Sequence, residues 1–178
     1  MVEYHFKLIL IGPGSVGKTS LLNRFVHDHF SQSYQMTMGV DFLNKKLTFE
    51  EDEVTLTIWD VGGQDRFKAM RTTYYSGTGG AMLVFDLTRP NTFEKIKNTW
   101  YPELTKFCGN NIPFLLIGNK VDLIKDVGST IKEEKARIFA ETKNSIYIKT
   151  SAKSGQMVED AFLSLTKRVA LKNDIHLR

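Results

Sequence analysis

The sequence contains very little cysteine and no long apolar run. Cys108 is the only cysteine among 178 residues, so an internal disulfide is excluded and a reducing compartment is indicated. No apolar stretch approaches the roughly 20 residues that span a bilayer, and the first residues, MVEYHFK, lack the pattern of a secretory signal. We therefore expect a cytoplasmic chain, with room for a peripheral position at a membrane.

Clusters of one charge are also missing. The 24 Lys and Arg residues exceed the 20 Asp and Glu residues, but no basic run is longer than two. Because a nucleic-acid-binding protein needs a clustered basic face, we interpret the basic residues as solvated surface and expect no nucleic-acid partner. His27 and His29 lie two apart on a predicted helix and cannot share a face, so neither is interpreted as a metal ligand.

The residues that are present suffice for one well-packed domain. A content of 42% hydrophobic and 25% charged residues is typical of a globular protein. The sequence has no internal repeat and no low-complexity linker, and its length is short for two domains. We treat residues 1–178 as a single domain and expect a monomer.

Strand patterns recur along this domain. Buried strands are predicted for the apolar runs FKLILIG, GAMLVFDLT and PFLLIGNK, and a short strand for SIYIKTS. Apolar residues alternate with others along VTLTIWD, which predicts an antiparallel hairpin with VDFLNKKLTF.

Helix patterns lie between these strands. The first predicted helix runs from Lys18 to about Asp28, and the next covers NTFEKIKNTWYPELTKF, where Asn91 and Glu94 have the spacing of a capping box. Two more are predicted for IKEEKARIFAETK and MVEDAFLSLTKRVAL. The alternation implies right-handed crossovers and a mostly parallel α/β sheet covered on both faces. Ligands of such sheets bind at the carboxyl ends of the strands.

The stretch GPGSVGKTS follows the first strand and opens the first helix. The phosphate-loop pattern is matched by Gly12, Gly17, Lys18 and Thr19, and it lies between a predicted strand and a predicted helix, as this motif requires. This position disfavours the alternative of a flexible turn with an incidental lysine. Glycines let backbone N–H groups turn toward a polyphosphate at a helix N-terminus. Lys18 is expected to bridge β- and γ-phosphates, and the Thr19 hydroxyl to ligate Mg²⁺. The candidate nucleotide-binding residues of this loop are Gly14, Ser15, Val16, Gly17, Lys18, Thr19 and Ser20.

Two short motifs at the same sheet edge predict a guanine base. In GNKVD, a carboxylate at Asp122 accepts two hydrogen bonds from the guanine N1–H and amine, a pair that adenine lacks. The aliphatic stem of Lys120 covers one ring face. TSAK follows the next strand and places the Ala152 N–H near the guanine carbonyl. The candidate base-binding residues are Asn119, Lys120, Asp122, Ser151, Ala152 and Lys153.

The motif WDVGGQD ends another strand. Asp60 is expected to hold Mg²⁺ through a water, Gly63 to offer an N–H to the γ-phosphate, and Gln64 to orient an attacking water. Thr37 precedes the hairpin in a long linker and reaches the metal only if that linker folds over the nucleotide; a threonine before a strand is otherwise ordinary. The candidate metal ligands are Thr19, Thr37 and Asp60, and the candidate catalytic residues are Lys18, Gly63 and Gln64.

Together these motifs resemble the Ras-like small GTPases along essentially the whole chain, and TMGVDF, YYSGTGGAMLVFDLT and LIGNKVDL resemble Rab segments. The resemblance implies a six-stranded sheet with five helices, GTP and GDP as ligands, and slow Mg²⁺-dependent hydrolysis. It also implies a molecular switch in membrane traffic or a related pathway. Its switch segments lie near residues 31–42 and 61–75, and its partners are effectors, exchange factors and GTPase-activating proteins.

The resemblance also assigns aromatic residues. Phe30 is expected to stack on guanine, and Tyr34 to close over the phosphates. Phe42, Trp59 and Tyr74 match the aromatic triad through which Rab proteins bind effectors. Ordinary packing of the hairpin explains the same three rings equally well.

The sequence departs from the Rab pattern at several positions. Val61, Gly62 and Asp65 belong to DVGGQD, which is similar to the Arf and Gα pattern, and Ser15 replaces the usual second glycine of the phosphate loop. The sequence stops at Arg178 without the cysteine-bearing tail of Rab proteins. Membrane attachment is therefore expected only through a lipidated tail that this sequence lacks.

Three alternatives stay open: a non-Rab Ras-like or Arf-like GTPase, a phosphate-loop kinase or metabolic NTPase, and a nucleotide-binding scaffold without turnover. The kinase would need a substrate lid and an additional base or arginine cluster, which the sequence does not show. The segment SQSYQM before Thr37 holds no arginine, unlike Gα proteins, and Arg66 and Arg71 are expected to point to solvent. Turnover without a partner is therefore expected to be slow, on the order of 10⁻⁴ to 10⁻³ s⁻¹.

Overall fold

The computed structural model describes residues 2–33, 35–64, 66, 68–127 and 131–178. The strands within these ranges are β1 (Val2–Ile11), β2 (Val40–Thr48), β3 (Asp52–Val61), β4 (Gly80–Asp86), β5 (Phe114–Asn119) and β6 (Ile146–Lys149). They form one sheet in the order β2-β3-β1-β4-β5-β6, and neighbouring strands are parallel except for β2 and β3. The predicted mostly parallel sheet with an antiparallel hairpin is confirmed.

The helices lie on both sides of this sheet. They are α1 (Lys18–His27), α2 (Lys68–Tyr74), α3 (Pro90–Lys95), α4 (Tyr101–Cys108), α5 (Ile124–Val127), α6 (Glu133–Glu141) and α7 (Val158–Lys172). A π-helical segment, Ile96–Trp100, joins α3 and α4 into one continuous helix. The described residues therefore form six helices rather than the five expected, and the short α5 is the addition. None of the helices in the described ranges is long and apolar enough to span a bilayer.

The predicted capping box at the start of α3 is wrong. The helix begins at Pro90, Arg89 is the N-cap residue, and no side chain caps this end. Proline fixes the first helical position and disfavours a helical conformation in the residue before it, so the boundary falls between Arg89 and Pro90. Asn91 consequently lies inside the helix, where its side chain cannot act as the N-cap.

Two hydrophobic clusters cover the opposite faces of the sheet, because successive residues of a strand point to opposite faces. Leu8 belongs to the cluster beneath α1 and α7, where the rings of Phe25 and Phe162 stack 4.0 Å apart. Ile9 belongs to the cluster beneath α3, α4 and α6, which includes Trp100. Since β4 is buried along its whole length, the core fixes the strand ends from which the loops emerge.

The open end of the β2–β3 hairpin lies at the same edge of the sheet as the loop after β1. Val40 pairs with Val61 at this end, and the Gly62 N–H donates to the Gly39 carbonyl at 2.7 Å. The residues just before β2 and just after β3 are thereby held next to each other.

Candidate nucleotide-binding site

A cleft of about 420 Å³ lies at the carboxyl edge of the sheet, a volume within the usual range of small-molecule sites. The predicted site residues that line it are Gly14, Ser15, Gly17, Lys18, Thr19, Ser20, Phe30, Thr37, Gly63, Gln64, Asn119, Lys120, Asp122, Ala152 and Lys153. Val16, Asp60 and Ser151 are buried behind this lining. Tyr34 lies outside the described residues. The chain therefore brings together in one cleft residues that are far apart in the sequence.

Two glycines permit close contacts around the phosphate loop, residues 12–19. Gly17 has φ 101°, and a Cβ there would lie 2.2 Å from the Nδ2 atom of Asn119. A Cβ on Gly63 would lie 2.3 Å from the Gly12 carbonyl oxygen. Both positions exclude a side chain, so the backbone after β3 and the side-chain amide of Asn119, the last residue of β5, approach the loop directly.

Lys18 is a buried cation at the floor of the phosphate loop. Its side chain is only 6% exposed, and Nζ donates to the carbonyls of Gly12 and Pro13 at 2.8 Å each. Burial lowers the pKa of Lys18 to about 8, against the opposing influence of the Asp60 carboxylate. A phosphate beside Nζ would stabilise the charged form of Lys18, and the charged form in turn attracts the phosphate.

Two side chains at the carboxyl end of β5 hold two further carbonyls of the loop. Lys120 Nζ donates to the Ser15 carbonyl at 2.8 Å, and Asn119 Nδ2 donates to the Val16 carbonyl at 2.9 Å. In a trans peptide the C=O and the following N–H point in opposite directions. The N–H that follows each of these carbonyls therefore points away from the side chain that holds the carbonyl, which leaves it available to a phosphate as the predicted cradle requires.

The three candidate metal ligands meet in one place. The hydroxyls of Thr19 and Thr37 lie 2.7 Å apart, Thr19 donates to Asp60 Oδ2, and the Thr37 hydroxyl is 3.3 Å from the same oxygen. The linker before β2 thus does fold over the cleft, as the metal role of Thr37 demands.

This oxygen cluster fits Mg²⁺. Asp60 is 1% exposed, and burial raises its pKa despite the hydrogen bond from Thr19. Its Oδ1 atom has no hydrogen-bond partner among the described atoms, so a metal-bound water would satisfy it. Mg²⁺ prefers hard oxygen ligands and is usually held by one or two carboxylates together with substrate phosphates and water.

The candidate base-binding residues form a linked set at the other end of the cleft. Asn119 Oδ1 accepts hydrogen bonds from the Thr150 hydroxyl at 3.1 Å and the Ala152 N–H at 3.3 Å. Asp122 Oδ1 accepts from the Ser151 hydroxyl at 2.7 Å. Ser151 thereby orients the carboxylate expected to read the base, while the contact of Ala152 with guanine stays a prediction.

Gln64 lies at the end of the cleft nearest Gly14. A Cβ on Gly14 would be 3.8 Å from Gln64 Cγ, and Gln64 Nε2 donates to the Met36 sulfur. The Gln64 carbonyl accepts a hydrogen bond from Arg71 at 3.2 Å. Gln64 and Gly63 therefore flank the part of the phosphate loop where a terminal phosphate is expected.

The two arginines after Gln64 have different environments. Arg66 is exposed, as predicted, and contacts the sulfurs of Met36 and Met38. The prediction for Arg71 is wrong, because its side chain is 1% exposed and forms an ion pair with Glu103 at 3.0 Å. This partner lies on α4, far away in the sequence, so a local helical pattern does not reveal it.

Sequence reasoning also missed two residues that support the site. Arg24 on α1 donates to the carbonyls of Ala152 and Lys153 at 2.9 and 2.8 Å and so holds the loop after β6. Asp86 at the end of β4 pairs with Lys120 at 2.9 Å. Burial alone would raise the pKa of Asp86, but hydrogen bonds from Lys120 and Thr88 lower it overall. The position of Asp86 at the carboxyl end of a predicted buried strand, the edge where the other site residues lie, was the sequence feature that could have indicated its role.

Three aromatic side chains, two on the hairpin and one at the end of α2, form a continuous row. The Phe42 and Trp59 rings lie 5.6 Å apart, and the Trp59 and Tyr74 rings 5.9 Å apart. Phe42 is 53% exposed, and Lys7 Nζ lies 4.1 Å from the Trp59 ring centroid. The rings pack on one another and also present apolar surface to solvent, so both interpretations of this triad agree with the arrangement.

Comparisons with known proteins agree with this architecture. Residues 7–171 match the Ras family. The chain is 43% identical over 166 residues to Ras-related protein Rab-21 of Bos taurus, covering 93% of this chain and 73% of the relative. It is 40% identical over 173 residues to Ras-related protein Rab-1 of Theileria annulata, covering 97% and 77%. It is 42% identical over 173 residues to Ras-related protein RABG3b of Arabidopsis thaliana, covering 94% and 84%. The chain therefore belongs to the Ras family and is a Rab-like small GTPase.

Proposed function

We propose that this chain is a GTP-operated switch that binds Mg²⁺ and guanine nucleotide in the cleft, hydrolyses GTP slowly, and binds effectors in the GTP state. The observation that supports it most strongly is the meeting of Thr19, Thr37 and Asp60 within hydrogen-bond distance. These residues come from the phosphate loop, the linker before β2 and the end of β3. The described residues of the linker that carries Thr37, 28–33 and 35–39, belong to no helix or strand, and we propose that the position of Thr37 depends on bound Mg²⁺ and the γ-phosphate.

Each side chain has a distinct role in this proposal. Lys18 leaves the carbonyls of Gly12 and Pro13 for the β- and γ-phosphates, whose oxygens face the inward N–H groups of the loop. Asp122, oriented by Ser151, accepts the N1–H and amine of guanine. Thr19 and Thr37 would supply oxygen ligands to Mg²⁺, and Asp60 would hold it through water. The metal would supply positive charge beside the phosphate oxygens.

Hydrolysis needs a positioned water next to the γ-phosphate. Gln64 is proposed to orient that water, and the Gly63 N–H to bind the γ-phosphate. We expect Gln64→Leu to lower the single-turnover rate while leaving GTP affinity nearly unchanged. Gly14→Val is expected to act similarly, because its branched side chain would extend beyond the 3.8 Å contact with Gln64 Cγ. A Gln64→Leu rate equal to the wild-type rate would remove Gln64 from the reaction, and an unchanged Gly14→Val rate would exclude crowding of Gln64 by a side chain at residue 14.

The measured wild-type rate separates a slow enzyme from a scaffold. A rate on the order of 10⁻⁴ to 10⁻³ s⁻¹ that an activating partner accelerates supports the switch. Bound GTP that is hydrolysed much more slowly than this supports a scaffold without turnover. A rate above about 10⁻² s⁻¹, the level of Gα proteins with an arginine in cis, would mean that the chain supplies its own arginine finger.

The partner surface proposed for the switch is the row Phe42, Trp59 and Tyr74. Phe42 and Trp59 lie on the hairpin whose open end carries Thr37, and Tyr74 is the last residue of α2. The exposed ring of Phe42 and the half-buried rings of Trp59 and Tyr74 offer apolar contact area of the kind enriched at interfaces. Effectors of membrane traffic are the partners that the Rab-like relatives suggest. We expect Thr37→Ala to abolish effector binding while leaving GDP affinity nearly intact. Equal losses of GDP affinity in Thr37→Ala and Thr19→Asn would contradict the switch role of Thr37.

Identification of the nucleotide tests the proposal most directly. The protein is purified in Mg²⁺-containing buffer and denatured, and the released nucleotide is separated by ion-exchange chromatography. Guanine nucleotide in near-stoichiometric amount is the expected result. Adenine nucleotide would favour a kinase or metabolic NTPase. Absence of any nucleotide, together with no binding of added GDP, would contradict the proposal.

A further inference from the structure

An arginine outside the cleft contacts the backbone of the phosphate loop. Arg89 Nε pairs with Asp86 Oδ2 at 3.0 Å, and Arg89 Nη2 donates to the Gly14 carbonyl at 3.2 Å. Arg89 is not among the residues that line the cleft. One guanidinium therefore joins the end of β4 to the loop that follows β1.

Asp86 is shared by two cations that serve neighbouring peptides of the loop. The same Oδ2 atom that pairs with Arg89 also pairs with Lys120 at 2.9 Å, and Lys120 donates to the Ser15 carbonyl at 2.8 Å. Asp86 is almost fully buried, and Thr88 donates to its Oδ1 atom. The carboxylate is thus a fixed anchor, and each cation holds one of two consecutive carbonyls.

This arrangement determines which way the loop amides face. Because the C=O and the next N–H of a trans peptide point in opposite directions, a Gly14 carbonyl held by Arg89 turns the Ser15 N–H away from Arg89. Gly14 is also the loop residue next to Gln64. Arg89 therefore acts on the peptide nearest the expected terminal phosphate, and it places a positive charge there.

We propose that Arg89 is a positioning residue for the triphosphate end of the site. It orients the Gly14–Ser15 peptide and adds favourable charge for the γ-phosphate without touching the nucleotide. The proposal rests on the proposed function, since it assumes that GTP phosphates occupy the loop. It differs from an arginine finger, because the guanidinium is bound to a carbonyl and to Asp86 rather than to the reacting group.

A structural role of Arg89 at the start of α3 makes a different prediction. Arg89 is the N-cap residue of that helix, and its side chain is 41% exposed in an i,i+3 ion pair with Asp86. A contact that only stabilised the helix would influence GDP-bound and GTP-bound protein equally. A contact at the γ-phosphate end influences the GTP-bound protein more, because only GTP carries that phosphate.

The test compares three variants of the full chain loaded with Mg²⁺ and nucleotide. Arg89→Met keeps the aliphatic stem but removes the donors, Arg89→Lys keeps a cationic donor, and Arg137→Ala removes an exposed arginine on α6 as the matched control. The measurements are single-turnover GTP hydrolysis, dissociation of GDP and of a non-hydrolysable GTP analogue, and the ³¹P shift of the γ-phosphate of that analogue.

We expect Arg89→Met to lower the hydrolysis rate roughly tenfold, the effect of losing one charge-assisted hydrogen bond. The GTP analogue should dissociate faster and its γ-phosphate resonance should shift, while GDP dissociation stays within about twofold. Arg89→Lys should recover most of the rate, and Arg137→Ala should match the wild type.

Three results would overturn this inference while leaving the proposed function intact. An Arg89→Met variant that hydrolyses GTP at the wild-type rate with an unshifted γ-phosphate resonance would show that Arg89 positions nothing. Equal acceleration of GDP and analogue release, with a lower melting temperature, would assign Arg89 a structural role. An Arg89→Lys variant as slow as Arg89→Met would exclude a cationic donor. A wild-type chain that binds no guanine nucleotide would refute the proposed function itself, and this inference with it.

Discussion

At the scale of single residues, Lys18 is the group whose protonation depends most directly on the ligand. Burial lowers its pKa to about 8, so both the neutral and the charged form of Lys18 are populated in the nucleotide-free protein near pH 8. Phosphates beside Nζ raise that pKa, so binding must take up a proton. We expect proton uptake on GDP binding at pH 8, and we expect the part due to Lys18 to decrease as the pH is lowered, since Lys18 is then already charged in the free protein.

Calorimetric titration in buffers with different ionisation enthalpies measures this uptake. The phosphates of GDP, whose last ionisation lies near pH 6, contribute little at pH 8. Lys18→Ala serves as the control and should bind GDP weakly with no uptake at pH 8. Equal binding enthalpies in all buffers at pH 8 would show that GDP binding to the wild type takes up no proton, and would contradict a Lys18 pKa near 8 in the free protein.

A lowered pKa also determines how Lys18 affects stability in the nucleotide-free protein. The unfolded state binds more protons than the native state between the native value of about 8 and the ordinary value of 10.5. The contribution of Lys18 to the free energy of unfolding is therefore least favourable below pH 8 and improves as pH rises through that window. Added nucleotide should abolish this dependence, since it restores the charged form.

Base choice is likewise a property of one residue. Asp122→Asn keeps a carbonyl oxygen for the Ser151 hydroxyl, which donates to Asp122 at 2.7 Å, so the loop should keep its shape. The new amide donates where guanine also donates, and an unpaired buried polar group costs about 1–3 kcal/mol. We expect GTP affinity to fall roughly tenfold or more and affinity for xanthosine triphosphate to rise. Competition binding with both nucleotides measures this, and an unchanged preference would remove Asp122 from the base site.

At the scale of elements, α2 is joined to α4 by a buried ion pair. Arg71 donates to both Glu103 oxygens at 3.0 Å and lies 4.2 Å from the Trp100 ring. The Tyr75 hydroxyl donates to the same carboxylate at 3.0 Å. Glu103→Gln should lower the free energy of unfolding by about 3–5 kcal/mol, because it leaves the Arg71 charge buried without a counter-charge.

Urea unfolding of matched variants separates this pair from an ordinary surface contact. The double variant Arg71→Met with Glu103→Gln should regain most of the loss, since no unpaired charge is then buried. Glu94→Gln breaks the more exposed pair with Lys97 and should change the free energy of unfolding by at most about 1 kcal/mol. If Glu103→Gln cost no more than Glu94→Gln, the Arg71 pair would not stabilise the position of α2.

The elements themselves were largely predictable from the sequence, for physical reasons that the exceptions illustrate. Buried strands such as β4 are continuous apolar runs, and motifs at their ends fall on one edge by topology alone. The burial of Arg71 was not predictable, because it depends on a partner 32 residues away. The start of α3 was misjudged because the restriction imposed by Pro90 outweighed the capping pattern of Asn91. The contact of Arg89 with Gly14 spans 75 residues and has no local sequence signature.

At the scale of the whole molecule, ligand binding and folding are linked. Loops from both halves of the sheet form the cleft, so it exists only in the folded chain. A ligand present at 1,000 times its dissociation constant therefore adds about 4 kcal/mol to the free energy of unfolding. For a chain of 178 residues this corresponds to a rise in melting temperature of about 10 °C.

Thermal unfolding with different ligands checks this linkage. GDP or GTP with Mg²⁺ should raise the melting temperature, while ATP with Mg²⁺ should not, because adenine lacks the donor pair that Asp122 accepts. Chelation of Mg²⁺ should reverse part of the rise and speed nucleotide release. A rise of equal size with ATP would exclude the base assignment.

The β2–β3 hairpin bears both arms of the proposed switch on a single ribbon. Thr37 comes just before β2 and Gly63 just after β3, and the Gly62–Gly39 hydrogen bond closes the end between them. Farther along the same ladder, Phe42 faces Trp59 as a cross-strand pair. Movement of one arm is therefore expected to reposition the other, so the contact of Thr37 with Mg²⁺ and the contact of Gly63 with the γ-phosphate should form and break together. A partner that binds the aromatic row is therefore expected to distinguish only two states of the molecule, rather than to sense the two arms independently.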